Sequence, residues 1–296
     1  MTATDPETVN QPNHADDPTD IEFWKRAWRR ADASLGDAAN FDLAKWRRVW
    51  KNLSRGDADR LDERVTRNRE LIDFMVREGL VAEGATALDV GCGSGPFAIP
   101  LLERGVRVTA LDPSEEMLET LRDAVESRGL PHPDYRAIPF EAIEPDNRYD
   151  FALAAYTPAV KDFDGVFALE RVARGFCGIV SLADNQIFQL RDYLYREVLG
   201  VERVSNGGNA LFPFGALFAS GRSPNVRFVE ERIERARDLD ETTATQQAYF
   251  AALGYDDDRT QTLIAERLAD RAADGVILER FVKRSAFIYW RPSEDR

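Results

Sequence analysis

Three glycines and an aspartate within residues 85–112 have the types and spacing of a nucleotide-binding turn. A short apolar run leads into Gly91, Gly93 and Gly95, a helix-length segment follows, and a second strand-like run ends at Asp112. Glycines let a backbone turn tightly and approach a ligand closely. The helix that follows offers free N–H groups and a partial positive charge. An acid at the end of the next strand is placed to bind a ribose diol.

The glycine spacing helps to separate two cofactor classes that use such a unit. A dinucleotide fingerprint reads G-x-G-x-x-G/A, and Pro96 stands where its third glycine or alanine belongs. The segment instead resembles the class I methyltransferases that depend on S-adenosylmethionine (SAM). The resemblance rests on Leu88-Asp89-Val90-Gly91-Cys92-Gly93-Ser94-Gly95, on Leu111-Asp112-Pro113-Ser114 and on Met117-Leu118.

The resemblance implies how this chain binds SAM. Gly91 and Gly93 are expected to pass close to the methionine part, Asp89 to support its ammonium group, and Asp112 to accept both ribose hydroxyls. A helix N-cap is the alternative role for Asp112, and the two roles are compatible. The full predicted cofactor set is Asp89, Gly91, Cys92, Gly93, Gly95, Asp112, Pro113, Met117, Phe140, Glu141 and Tyr156.

No general base stands out in the sequence. Tyr156 and Asp184 follow predicted strands, where a methyl acceptor would sit, and each is either a catalytic candidate or a wall of the pocket. Thr157-Pro158 differs from the Asn-Pro-Pro-Tyr motif of enzymes that methylate exocyclic or amide nitrogens. A proton can also leave to water, so a missing base does not argue against an enzyme.

The alternation of strand and helix patterns predicts an α/β fold with a Rossmann-like, seven-stranded, mostly parallel sheet and helices on both faces. A short helix is expected at residues 167–173, and the last two strands are expected to be antiparallel with a helical insertion between them. The carboxyl ends of the parallel strands should line one crevice. Strands are expected at residues 87–90, 106–111, 134–138, 149–155, 175–182, 226–233 and 280–290.

The predicted domain organisation has three parts. Residues 1–20 form a disordered tail, residues 21–82 a helical cap, and residues 83–291 a SAM-binding domain with insertions at about 186–222 and 240–274. The cap carries Trp24, Trp28, Trp46 and Trp50, which either cover the active site or simply pack between helices and sheet.

The amino-acid composition argues against several classes of protein. The 296 residues carry a net charge of −13, so the average field repels nucleic acid. We expect neither a signal peptide nor a transmembrane segment, and a cytoplasmic location. The two cysteines give no disulfide framework and the two histidines cannot build a His-based metal site. No metal is expected, although a site made only of carboxylates stays open.

The predicted function is SAM-dependent methyl transfer to a small-molecule acceptor. An RNA or protein methyltransferase is one alternative, and a basic stripe on the cap helices would favour it (Lys25, Arg26, Arg29, Arg30, Arg47 and Arg48). A non-catalytic SAM-binding regulator is another, which a closed pocket would favour. A dinucleotide oxidoreductase is disfavoured by the glycine spacing. The acceptor atom and the oligomeric state stay open.

Overall fold

The computed structural model describes residues 17–33, 60–145, 149–183, 189–203 and 209–293. Seven strands make up the sheet of this part of the chain: β1 (Thr86–Val90), β2 (Arg107–Leu111), β3 (Asp134–Arg136), β4 (Tyr149–Ala155), β5 (Ala173–Leu182), β6 (Asn225–Asp238) and β7 (Val276–Trp290). Their order is β3-β2-β1-β4-β5-β7-β6. The first five strands are mutually parallel, and β7 is antiparallel to β5 and β6. The predicted sheet is confirmed.

Helices cover both faces of this sheet. They are α1 (Ile21–Ala33), α2 (Leu61–Arg77), α3 (Ala98–Leu102), α4 (Glu115–Ser127), α5 (Phe163–Val172), α6 (Gln189–Leu194), α7 (Leu211–Ala219), α8 (Leu239–Ala252) and α9 (Asp258–Ala269). A 3-10 turn spans Phe140–Ala142, and a π-helical turn, Tyr195–Leu199, continues α6.

Alternating strand residues create the two core layers. Phe151 and Leu153 of β4 are buried in the layer formed with α2, α3 and α4. Ala152 and Ala154 are buried in the other layer, with α1, α5 and α7. Successive strand side chains point to opposite faces, so an apolar run in a central strand supplies both layers.

Strands β6 and β7 continue beyond the rest of the sheet. The pairing of β7 with β5 ends at Ser285, opposite Leu182, but β6 and β7 stay paired to Asp238 and Val276. Residues 230–238 and 276–284, called the ribbon below, therefore project past the carboxyl edge of the parallel strands. Helices α8 and α9 join the two strands of the ribbon, as the predicted insertion requires.

A separate apolar cluster fixes α8 and α9 to the ribbon and to α6. Phe250 of α8, Ile264 and Leu268 of α9, Leu194 of α6 and Ile277 of β7 are all buried in it. The insertion therefore has a core of its own and holds the ribbon over the edge of the sheet.

Several predicted boundaries are wrong, and the seventh strand begins at Val276 instead of residue 280. The helix expected at 167–173 begins at Phe163, because Asp162 caps it by accepting a hydrogen bond from the Gly165 N–H (2.9 Å). Ala173 is already the first residue of β5, opposite Tyr149. The third strand ends at Arg136, and the sixth extends to Asp238 because polar residues pair across the ribbon as well as apolar ones do.

Helix α1 packs on α7 beside the carboxyl edge of the sheet. The Trp28 ring stacks on Phe212 with 5.9 Å between ring centroids. A Cβ on Gly215 would lie 2.4 Å from the Trp24 ring, so only glycine allows this approach. Trp46 and Trp50 lie outside the described residues.

Candidate active site

The glycine turn connects β1 to α3. Gly91, Gly93 and Gly95 have φ angles of 65°, 53° and 92°, in the left-handed region that favours glycine. The Gly91 backbone also lies against Thr157, where an added Cβ would come within 2.1 Å of the hydroxyl oxygen. A Cβ on Gly93 would meet no atom within 4 Å, so the turn is open to a ligand at that residue.

Asp112 directly follows β2 and accepts a hydrogen bond from this turn. Its carboxylate accepts hydrogen bonds from the backbone N–H groups of Gly93 (3.0 Å) and Ser114 (2.9 Å). Burial raises the pKa of Asp112, and these two donors partly oppose that shift. Ser114, not Asp112, is the cap of α4, since its hydroxyl accepts from the Met117 N–H. The side chain of Asp112 therefore faces the turn.

Asp89 is buried beneath the same turn. Its carboxylate accepts a hydrogen bond from the backbone of Ala98, but the second carboxylate oxygen, Oδ2, is buried with no hydrogen-bond partner. Burial, and then the nearby charge of Asp112, raise its pKa to about 7. A buried acceptor without a donor is costly, so a cationic ligand group would be stabilised here.

Five other predicted cofactor residues lie in three different places. Pro113 is exposed and Met117 half-buried at the start of α4, close in sequence to Asp112. Burial of Cys92 raises the pKa of its thiol, which disfavours a thiolate nucleophile there. Phe140 and Glu141 line a neighbouring cavity of about 460 Å³ beside α5 and are not in the wall of the main cavity.

Tyr156 has an unusual backbone conformation at the end of β4. It has a φ of 52°, although it is not glycine, and its hydroxyl donates to Ser285 Oγ at 2.6 Å. The Lys283 ammonium lies 4.1 Å from the centre of its ring. These contacts tie Tyr156 to β7 and set its position in the cavity wall. Asp184, the other catalytic candidate, lies outside the described residues.

The main cavity, of about 680 Å³, lies at the carboxyl edge of β4 and β5. Its apolar wall includes Trp28 of α1, Ile179 of β5 and Pro213 of α7. Its polar wall includes residues that sequence analysis did not predict: Arg60, Arg64 and Arg67 on or next to α2, and Arg235, Arg237, Glu279 and Lys283 on the ribbon. The alternation of Ile233, Arg235 and Arg237 along one strand was the available signal, since these side chains share a face.

The basic stripe expected on the cap helices is only partly described. Lys25 of α1 forms an ion pair with Glu22 at 2.7 Å and lies over the Phe163 ring. Arg47 and Arg48 lie outside the described residues. The contacts of Lys25 fit the packing of α1 against its neighbours.

Residues 87–175 match the family model described as a methyltransferase domain. These residues are a class I methyltransferase domain. The matched segment runs from β1 to the start of β5 and contains the glycine turn and Asp112. Helices α1 and α2 and the ribbon lie outside the matched segment. These three elements nevertheless supply residues to the wall of the main cavity.

Relatives of the methyltransferase domain include two curated proteins. The ubiquinone biosynthesis O-methyltransferase of Methylocella silvestris is 46% identical over 61 residues, 21% of this chain and 23% of that protein. The S-adenosyl-L-methionine-dependent Diels-Alderase iliD of Neonectria is 46% identical over 68 residues, 23% of this chain and 28% of that protein. The match therefore spans about a quarter of each of these relatives.

The YcgJ protein of Bacillus subtilis is a similar solved structure. It is 16% identical with a TM-score of 0.45, over 75% of this chain and 97% of that one.

Two further observations on the described residues concern metal-binding clusters and membrane-spanning helices. In the described ranges, no group of three or more Asp, Glu, His or Cys side chains is arranged to hold a metal ion. None of the helices in the described part of the chain is both long and apolar enough to cross a bilayer.

Proposed function

We propose that this protein transfers a methyl group from SAM to a small-molecule acceptor. One observation carries the proposal: the open glycine turn, the carboxylate of Asp112 and the unpartnered oxygen of Asp89 lie together, and Thr157, which contacts Gly91, is in the wall of a large cavity. These groups fit SAM. Asp112 would bind the ribose hydroxyls, the backbone at Gly91 and Gly93 would lie against the methionine part, and Asp89 would pair with its ammonium.

The remaining cofactor contacts follow from the order of the chain. Pro113 and Met117 would border the adenine, because they follow Asp112 at the start of α4. Phe140 and Glu141 would approach the adenine edge from the end of β3. Gly95 and Cys92 would hold the turn in shape, since Cys92 is buried in the core and Gly95 has a positive φ.

The chemistry of this site depends on position more than on acid–base groups. Bound SAM supplies an activated methyl group, and sulfur keeps the electron pair of the broken bond while the acceptor supplies the pair of the new one. The protein must hold the two partners in line and exclude water, which accounts for a large part of the rate in such reactions. Tyr156, held by Ser285, would form the wall next to the acceptor.

The size of the cavity favours an enzyme over a non-catalytic SAM-binding protein. A volume of about 680 Å³ lies within the range of about 300–1,000 Å³ that drug-sized ligands occupy. Its wall consists of residues outside the glycine turn, and Thr157 of that wall contacts Gly91. There is therefore room for an acceptor beside the donor. The absence of a spanning helix in the described part of the chain is compatible with a cytoplasmic enzyme.

The experiment that tests this function is a transfer assay with SAM carrying a labelled methyl group. The purified protein would be incubated with pools of small metabolites, with RNA and with protein extract. We expect label in the small-molecule fraction. Label in RNA or protein alone would contradict the proposed substrate class. A metabolite converted to an isomer in the presence of SAM, with no SAM consumed and no label transferred, would indicate the kind of activity that the name of the Neonectria relative describes.

We also propose that residues 21–82 form a cap over the site, with Trp28 in its inner surface. Trp28 is buried, stacked on Phe212 and part of the cavity wall, whereas Trp24 packs against Gly215 and is not in that wall. Titration with the demethylated product, S-adenosylhomocysteine (SAH), is therefore expected to change tryptophan fluorescence. The change should shrink in Trp28→Phe and persist in Trp24→Phe. A full response in Trp28→Phe would count against a cap at this position.

A pH dependence follows from Asp89. Its pKa of about 7 in the ligand-free protein means that the carboxyl must lose a proton before it pairs with the SAM ammonium. SAM affinity is therefore expected to rise from pH 5 to pH 7. Because the folded protein holds this proton more tightly than the unfolded chain, the same group lowers the stability of ligand-free protein as pH rises from about 4 to 7.

Calorimetric titrations and thermal unfolding across that pH range measure both effects. Asp89→Asn is the control, since it keeps the shape of the side chain and cannot ionise. It should bind SAM more weakly at pH 7 and show a flatter pH profile in both measurements. An unchanged profile in Asp89→Asn would rule out Asp89 as the group responsible.

A further inference from the structure

The main cavity has a strongly basic wall in a protein whose net charge is −13. The described residues of that wall on α2 and the ribbon include six bases, Arg60, Arg64, Arg67, Arg235, Arg237 and Lys283, and one acid, Glu279. A concave wall of one sign, enclosed by protein, concentrates ligands of the opposite charge. The local charge of the cavity is thus opposite to that of the whole molecule.

The acids of the ribbon are already engaged. Glu279 forms an ion pair with Arg237. Glu231, next to the cavity, lies 3.3 Å from Lys283 and 3.9 Å from Arg67. Glu279 also attracts Arg235, its partner in the strand register, but each of Arg237, Arg60 and Arg67 repels Arg235 more strongly.

The surroundings of Arg235 favour the binding of an anion. Its Nε is buried and has no hydrogen-bond partner, and its guanidinium lies 5.5 Å from the centre of the Phe281 ring. Burial, followed by the charges of Arg237, Arg60 and Arg67, lowers its pKa to about 10. A half-buried guanidinium with more positive than negative charge around it is unfavourable, and a planar anion with two oxygens matches its donors.

The methyl donor does not supply this anion. SAM has one carboxylate, but it also has an ammonium and a sulfonium, so its net charge is positive. Its carboxylate would occupy one base at most, and the bound donor would make the cavity more positive. The compensating negative charge must come from the other ligand of the site.

The distance along the ribbon constrains the shape of that ligand. Tyr156 is hydrogen-bonded to Ser285, and Glu279, the register partner of Arg235, precedes Ser285 by six residues on β7. The distance from Glu279 to Ser285 is therefore at most about 20 Å along an extended strand. The apolar wall of the cavity, with Trp28, Ile179 and Pro213, would accommodate an apolar body between those ends.

We propose that the acceptor is an elongated anion that places a carboxylate or phosphate group against Arg235 and its methyl-accepting end beside Tyr156. This rests on the methyl transfer proposed above and narrows its substrate class.

Calorimetry on the full-length protein saturated with SAH tests the proposal. The probes are biphenyl-4-carboxylate with its neutral amide, and biphenyl-4-yl phosphate with neutral biphenyl-4-ol. At least one anion should bind about tenfold or more tightly than its neutral partner, and its affinity should fall with added salt. The probe pair with the larger difference in affinity shows whether a carboxylate or a phosphate is the preferred group. Equal binding of both members in both pairs, or no binding of either anion, would overturn the proposal.

A matched pair of variants locates the effect. Arg235→Gln should weaken binding of the anion about tenfold or more and leave binding of the neutral partner unchanged. Arg232→Gln is the control, because Arg232 lies on the same strand but on its exposed face. Equal anion affinity in Arg235→Gln and Arg232→Gln would overturn the assignment to Arg235. The comparison of anion with neutral probe in the unaltered protein needs no variant, so a folding defect cannot obscure the result.

Failure of the proposal and failure of the proposed function give different results. If SAH itself does not bind, the methyltransferase function is wrong. If SAH binds normally and the anions have no advantage, only the substrate class is wrong.

Discussion

Replacing Gly91 with alanine is expected to weaken SAM binding by more than about 100-fold. Two costs combine. A non-glycine residue at a φ of 65° is strained by about 1–2 kcal/mol. The new Cβ would also lie 2.1 Å from the hydroxyl oxygen of Thr157 and 2.7 Å from its Cβ. Because the second atom is close to the backbone, the loop after β4 must move, and the turn that is proposed to contact the methionine part would move with it.

Gly129→Ala separates these two costs. Gly129 has a φ of 63°, close to that of Gly91, but an added Cβ there meets no atom within 4 Å. This control should lose a similar amount of unfolding free energy to backbone strain and retain SAM affinity. Calorimetry and chemical denaturation of both variants measure the two quantities. Equal SAM affinities in Gly91→Ala and Gly129→Ala would contradict a direct role for the turn.

Replacing Asp112 with alanine is expected to weaken SAM binding by about 10²- to 10⁴-fold. Hydrogen bonds to a charged group contribute about 1.5–3 kcal/mol each, and the carboxylate is proposed to accept two from the ribose. The same change removes the acceptors of the Gly93 and Ser114 N–H groups, so the turn also loses support. Both losses act on the cofactor site.

Ser114→Ala provides the control for Asp112. It removes the cap of α4, which costs about 0.5–2 kcal/mol of stability, without removing the carboxylate. SAM affinity should stay within a few-fold of that of the unaltered protein. An Asp112→Ala protein that is folded and binds SAM normally would show that Asp112 supports only the turn and does not bind the ribose.

Sequence reasoning succeeded where chemistry depends on neighbours in the chain. The strand, the turn from Gly91 to Gly95, the helix and the strand ending at Asp112 lie within one short stretch, and local backbone rules fix their arrangement. The parallel order of the first five strands follows from the alternation of elements. The antiparallel pairing of the last two strands, which would match the methyltransferase sheet, is confirmed by the register of β6 with β7.

The basic wall of the cavity could not be predicted in the same way. Arg64 precedes β1, whereas Arg235 and Lys283 follow β5, and only the length of the ribbon brings them to one cavity. The extent of that ribbon depends on polar cross-strand pairs such as Glu234 with Arg280, which have no apolar periodicity. The pairing register of β6 with β7, two strands far apart in the sequence, therefore determines which charged side chains face the cavity.

The start of α5 was missed for a local reason. The apolar periodicity pointed to residues 167–173, but the cap at Asp162 starts the helix one turn earlier. Val160 and Lys161, just before this helix, line the cavity. Because the helix was predicted to start later, these two residues were not predicted to belong to the site.

Calorimetric titration of the intact protein with SAM, SAH and NADH tests the central claim most directly. Binding of SAM and SAH requires the glycine turn, Asp112 and Asp89 to act as one site, whatever the acceptor is. The account predicts saturable binding of SAM and SAH at a single site where the two compete, and no saturable binding of NADH. Saturable binding of NADH without binding of SAM would contradict it.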